Sequence, residues 1–175
     1  MNRSMGKPFL NIHEVDTFEA GHGEVFHAKH GLLSRPLGAT KIGASVTRVQ
    51  PGKAAFQFHH HFGNEEQFFI VSGEGTLRVG DELFAVKARD YIVHPPGGPE
   101  TAHQLVNTGT EELVYLSLAA MGVSPEVCGY PDSDKLGVFP GGNRRIMIAN
   151  ADSERTAYFD GDDGSKVKEI LAKLR

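Results

Sequence analysis

The sequence predicts an all-β domain, a sandwich or barrel of short antiparallel strands. Three observations predict it. Glycine occurs 21 times and proline nine times, and these turn formers fall between short β-prone runs. About eight such runs fit between residues 42 and 120, too closely spaced for helical crossovers. Several alternate apolar and polar residues, the period of a strand with one buried face.

The elements follow in order. Residues 1–41 read as an N-terminal arm. Its stretch 15–35 mixes apolar residues with glycines and His22, His27 and His30, and it shows no clean period, so at most one short strand is expected there. From residue 42 the pattern changes. Residues 42–49 (IGASVTRV) form the first strand of the barrel, and Pro51-Gly52 turns the chain. Residues 54–61 (AAFQFHHH) read as a second strand and 66–71 (EQFFIV) as a third. Gly80-Asp81 between 76–79 and 82–86 is a hairpin signal. Strands are expected at 90–93, 103–106 and 113–118, separated by the loop 97–101 and a turn at 107–110. This order suits an antiparallel jelly roll.

The residues from 121 onward form a C-terminal extension to the barrel of residues 42–120. A strand is expected at 145–148. In 165–174 (SKVKEILAKL), Val167, Ile170, Leu171 and Leu174 share one helical face. Ser165 is placed to cap its N-terminus. A short C-terminal helix docking on the barrel is expected.

The composition is that of a soluble globular chain, 39% hydrophobic and 23% charged in 175 residues. A formal net charge of −4 without a basic stripe argues against nucleic acid and an anionic membrane as partners. No stretch approaches the roughly 20 apolar residues of a membrane span, and residues 1–10 lack a signal-like apolar core. The single cysteine, Cys128, reads as a buried small hydrophobe in a reducing compartment. Together these features point to the cytoplasm.

Five of the nine histidines lie between residues 59 and 103. His59 and His61, two apart on a strand, share one face with Cα atoms roughly 6.6 Å apart, so both imidazoles can reach one metal ion. His60 points the other way. Glu66 follows a turn at the start of the next strand, where hairpin pairing returns it beside the histidines. The parity that turns Glu66 inward does the same for Phe68 and Ile70, and excludes Glu65. Imidazole plus carboxylate suits borderline divalent metals.

These residues carry a resemblance. Gly52, His59, His61, Glu66 and Gly73, followed by Pro95, Gly97, His103 and Asn107, resemble the two motifs of the cupins, a superfamily of small β-barrels. Three departures stand out. The gap from Gly52 to His59 is one residue longer than the common pattern, Arg89 replaces an expected glycine, and the loop from Gly97 to His103 is longer. The resemblance implies a double-stranded β-helix, or jelly-roll, barrel over roughly 42–120. It also implies metal ligands at His59, His61, Glu66 and His103, with iron, manganese, nickel and zinc all open. The segment Glu126-Val127 with Tyr130 through Lys135 is similar to a bacterial branch of cupins, which narrows the family without naming a reaction.

Gln57 shares the face of His59 and is a candidate to hydrogen-bond a ligand. Tyr91 and His94 are weak candidates for a proton donor. Asn107 reads as a turn stabiliser and Glu100 as solvent-facing. The four N-terminal histidines, His13, His22, His27 and His30, have no ligand spacing. With His59 and Glu66 inward, Phe56, Phe58, Phe69 and Val71 are expected outward. So large an apolar surface calls for a cover, and a homodimer is the expected assembly. The functions this reading favours are a metal-dependent enzyme on a small metabolite (a dioxygenase, isomerase or decarboxylase) and, as the alternative, a non-catalytic small-molecule binding or sensing module.

Overall fold

The computed structural model describes residues 7–120, 122, 124–141 and 144–149. The expected helix at 165–174 lies outside these residues. The N-terminal segment contributes two strands, β1 (Thr17–His22) and β2 (Phe26–Leu32), where the sequence reading allows one. β1 is exposed along its whole length, so it carries no alternation of apolar and polar residues for a sequence reading to detect. Of the eight strands expected next, seven are present and the second is reduced to two residues: β3 (Ile42–Val49), β4 (His60–His61), β5 (Glu66–Ser72), β6 (Glu74–Val79), β7 (Glu82–Lys87), β8 (Tyr91–His94), β9 (His103–Val106) and β10 (Leu113–Ala120). Then come β11 (Glu126–Tyr130), β12 (Lys135–Phe139) and β13 (Ile146–Ala149).

The strands pair antiparallel in three sheets, ordered β1-β2-β3-β10-β5-β8, β7-β6-β9 and β13-β12-β11-β4. Side chains of the first two sheets meet in one core, where Val49, Phe68, Ile70, Leu113 and Tyr115 of one face Leu77, Val86 and Leu105 of the other. Phe68 and Ile70 are buried as their parity with Glu66 predicts. Among the described residues no helix is long and apolar enough to cross a membrane.

The run 54–61 is not one strand. Ala54 makes single bridges to Phe26 and Val106, His59 bridges His103, and only His60–His61 pair regularly, with Gly129 and Cys128 of β11. The chain is passing from one sheet to another here. Propensity within the segment carries no record of that change of partners. Phe58 is likewise not on an open outer face. It is 5% exposed, with the Arg78 guanidinium 3.6 Å from its ring centre. Arg78 is in turn gripped by both carboxylate oxygens of Asp132, at 2.7 and 3.0 Å. The C-terminal extension therefore holds the cover over Phe58 in place.

Gly73 and Gly129 are both needed for close approach. A Cβ at Gly73, where φ is +83°, would sit 2.6 Å from the Glu112 carbonyl oxygen. A Cβ at Gly129 would sit 2.0 Å from His60 Nε2. Asn107, fully buried, donates from its amide to the carbonyls of Val49 (2.7 Å) and Glu111 (2.8 Å) and accepts from the Gly109 amide. Its role as a turn stabiliser follows directly.

Arg89, at the expected glycine, has φ 78° in the turn between β7 and β8. Its amide donates to the Ile70 carbonyl at 2.8 Å, which keeps the turn in a left-handed conformation that costs a side-chain-bearing residue about 1–2 kcal/mol. Glycine removes that strain but loses about 0.5–1 kcal/mol through the freedom of the unfolded chain. Arg89→Gly is expected to stabilise the fold by up to about 1 kcal/mol, read as a higher urea midpoint at unchanged slope. A lower midpoint would show that the arginine side chain contributes more than its backbone costs.

Candidate metal centre

His59, His61, Glu66 and His103 arrive from three segments. His59 exchanges both backbone hydrogen bonds with His103, at 3.1 and 2.8 Å, which sets β9 beside the HxH run. Period two then brings His61 round to His59, their ring centres 5.0 Å apart. Glu66 opens β5 on the neighbouring sheet, opposite His94. Gly97 ties the loop before β9 to the same run. Its amide donates to the His61 carbonyl at 2.8 Å, and its carbonyl accepts from His60 Nδ1 at 2.9 Å. His60 thus faces away, buried against Gly129, and braces the loop.

The four ligating atoms lie within 4.8 Å of one another. Glu66 Oε2 stands 3.1 Å from His103 Nε2, 3.6 Å from His61 Nε2 and 3.9 Å from His59 Nε2. Two of these separations exceed a hydrogen bond. Ligands about 2.1 Å from a common ion lie roughly 3.0–4.2 Å from each other, depending on the angle between them. His61 Nε2 is buried with no hydrogen-bond partner among the described residues, a costly state for a polar atom unless something else meets it. The donor set and its spacing fit a divalent metal ion.

Electrostatics point the same way. Burial pushes His59 down to about 4, with His103 adding to the effect, so it is neutral at pH 7 as a ligand must be. Burial would raise the Glu66 carboxyl, but the hydrogen bond with His103 and the nearby His61 and His59 imidazoles outweigh it and hold it below the usual carboxylate range. Burial also opposes charge on His61, yet contacts with Cys128 and Glu66 raise it to about 10. A metal ion held by His61 would displace that proton, so its binding should release a proton to solution.

A second layer surrounds the four side chains. His59 Nδ1 meets the backbone carbonyl of Gln57 at 2.8 Å, so Gln57 orients the imidazole through its main chain. Its side-chain amide oxygen accepts from Ser133 instead. His61 Nδ1 lies 3.3 Å from Glu126 Oε1 and 3.2 Å from Cys128 Sγ. Both residues are buried on β11. Cys128 is buried as expected, but it also touches His61. The Tyr130 ring stacks on His59 with centres 6.0 Å apart, and burial pushes its hydroxyl up to about 12. No spacing signal marked Glu126 or Tyr130, because their contact with the histidines arises only from β11 pairing with β4.

His94 shares the face of Glu66 and stacks on His103 at 3.6 Å, nearly parallel. Burial lowers it to about 3, with His103 contributing, so it is a neutral imidazole at pH 7. Tyr91 is 58% exposed and its hydroxyl donates to Gln67. It opposes Phe69, of the parity opposite to Glu66, and is not brought to the cluster. Glu100 is exposed, as expected. Of the N-terminal histidines, His13 and His22 are exposed and His27 is half-buried, whereas His30 is buried against Thr47 Oγ1 at 3.2 Å.

Residues 45–119 match the model of the cupin domain. This part of the chain is similar to the cupin superfamily. The oxalate-binding protein of Thermotoga maritima is 27% identical over 104 residues, 59% of this chain and 82% of that protein. A Methanocaldococcus jannaschii protein is 33% identical over 73 residues, 42% of this chain, so the match spans about half of that relative's length, 48%. A solved structure from Acidithiobacillus ferrooxidans, provisionally assigned as a sugar phosphate isomerase, is 24% identical. It superposes with a TM-score of 0.76 over 86% of this chain and 97% of that chain. That likeness shows the double-stranded β-helix fold. It also covers more of the chain than the family model does, so the shared fold extends beyond residues 45–119.

Proposed function

We propose that this chain is a metal-dependent enzyme acting on a small metabolite, with one divalent transition metal (iron, manganese, nickel or zinc) held by His59, His61, Glu66 and His103. The observation that carries the reading is the convergence of three imidazoles and one carboxylate, with His61 Nε2 buried and unpartnered. Four protein ligands leave one or two positions on an octahedral ion, and such an ion polarises a bound oxygen or lowers the pKa of a bound water. The chain's own part is to keep His59 neutral, aim it through the Gln57 carbonyl, and wall the site with His94 and Tyr130. His94 is retained as a candidate to hold or pass a proton. Dioxygenase, isomerase and decarboxylase chemistry all remain within this reading.

The alternative is a binding or sensing module without turnover. The oxalate-binding relative supports it, since oxalate is a small chelating anion. The test comes in two steps. Metal analysis of untagged protein by plasma mass spectrometry should find about one transition metal per chain. A chain that takes up none after reconstitution with all four metals would overturn the metal-dependent enzyme and leave a binding module for an organic ligand. Turnover by the loaded protein then separates enzyme from sensor.

Glu126 should act on the metal through His61. A buried carboxylate on the far nitrogen of a ligating histidine fixes its tautomer and raises its basicity, and loss of such a partner typically costs about 10–100-fold in metal affinity. Glu126→Gln is expected to weaken metal binding by that amount in a chelator competition with the fold intact. Unchanged affinity would assign His61's orientation to Cys128 instead.

We also propose a cytoplasmic homodimer. β1 is the open edge of the six-stranded sheet and is exposed throughout, Phe18 at 53%, and an uncovered edge strand is a template for pairing. Light scattering should give twice the 19.0 kDa chain mass. The single-chain mass would exclude the dimer.

A further inference from the structure

A cleft of about 280 Å³ opens beside His59. Its walls come from separate parts of the chain: His22 at the end of β1, Phe56 and Gln57 ahead of β4, Tyr130 at the end of β11, and Arg145 just before β13. Of the four clustered side chains only His59 lines it. His22, Tyr130 and Arg145 all lie outside the matched domain of residues 45–119.

The lining has one sign of charge. The chain has 22 acidic residues, yet among the described residues none lines this cleft. Arg145 is its one permanent charge, and among the described residues no carboxylate lies within ion-pair distance of the guanidinium. The Gln57 amide, the Tyr130 hydroxyl and the His22 imidazole add hydrogen-bonding capacity, while Phe56 supplies an apolar wall. A water occupies about 30 Å³ of liquid, so the cleft suits a molecule of about ten non-hydrogen atoms. A guanidinium fork pairs two oxygens of a carboxylate or phosphate at once.

We propose that the cleft binds a small organic anion end to end, with an oxygen-bearing head at His59 and a phosphate or carboxylate tail on Arg145. The inference rests on the metal-site reading for its head group and names the substrate class that reading leaves open. The metal ligands come from the core of the domain. The tail is selected by the strands flanking it, which is where related folds are free to differ.

The test is calorimetric titration of the full chain, loaded with metal, with 3-phosphoglycerate, malate and glycerate. The three share a 2-hydroxy-acid head and differ in the tail: phosphate, carboxylate or hydroxyl. At least one of the first two should bind about tenfold or more tightly than glycerate, and whichever does so identifies the tail chemistry. Arg145→Gln should abolish that advantage and leave glycerate binding within about twofold, and His22→Gln should reduce it in part. Arg145 is exposed, so the fold does not depend on it. Equal affinity for all three, a preference that survives Arg145→Gln, or no binding of any would overturn the proposal. Metal content measured on the same samples reports the metal reading separately. If the chain holds no metal, the same comparison of phosphate, carboxylate and hydroxyl tails on the metal-free protein still decides the role of Arg145.

Discussion

Replacing both His59 and His61 by alanine is expected to leave a folded chain that binds no metal. The two substitutions remove half of the donor set. Glu66 and His103 remain, but they are 3.1 Å apart and already satisfy each other with a hydrogen bond. The loss in affinity should exceed the roughly 100-fold upper bound for removing an outer partner of a ligand. A linked stability effect gives a second readout. A ligand at 100 times its Kd stabilises the native state by about 2.7 kcal/mol, which for a chain of this size is a melting shift of about 5–10 °C. Wild-type protein should show that shift between chelator-treated and loaded samples, and the double variant should show none. A variant that still retains one equivalent of metal would move the site elsewhere in the chain.

The second large effect is expected in the core that carries the site. Phe68 is 2% exposed on β5, two residues from Glu66. Its ring packs against Tyr115 at 5.1 Å, His94 at 5.1 Å and His103 at 5.8 Å. Phe68→Ala leaves a cavity between the core and the histidines, and such truncations cost about 3–5 kcal/mol. Typical domain stabilities are about 5–15 kcal/mol, so the urea midpoint should fall steeply. Metal affinity should fall with it, because His103 loses the wall that holds its ring. A loss under about 1 kcal/mol would mean that Phe68 does not sit in the packed core.

These two sites were legible in the sequence to different degrees. His59, His61 and Glu66 could be set on one face from strand parity alone, and the same parity buried Phe68 and Ile70. The later histidine entered through motif resemblance, and the backbone exchange between His59 and His103 gives the physical reason for its place. Phe58, expected outward, is covered by Arg78, and alternation along residues 54–61 carries no record of which group supplies that cover. The sequence reading expects no strand at β11 or β12, which flank the Tyr130–Lys135 stretch. Residues Glu126, Cys128 and Tyr130 of β11 form much of the layer around the cluster of three histidines and Glu66.

The sequence by itself determined the strand-rich fold, the hairpin at Gly80-Asp81, the inward face of β5 and the residue types able to hold a metal. Each depends on contacts between near neighbours or on period two, which a linear chain records. Tertiary structure alone decided which outer groups touch His61, what covers Phe58, and how His22 and Arg145 come to line one cleft with His59. Those contacts join strands up to about 120 residues apart, as with His22 and Arg145. Pairing across such distances is set by burial and hydrogen bonding of whole sheets rather than by local spacing.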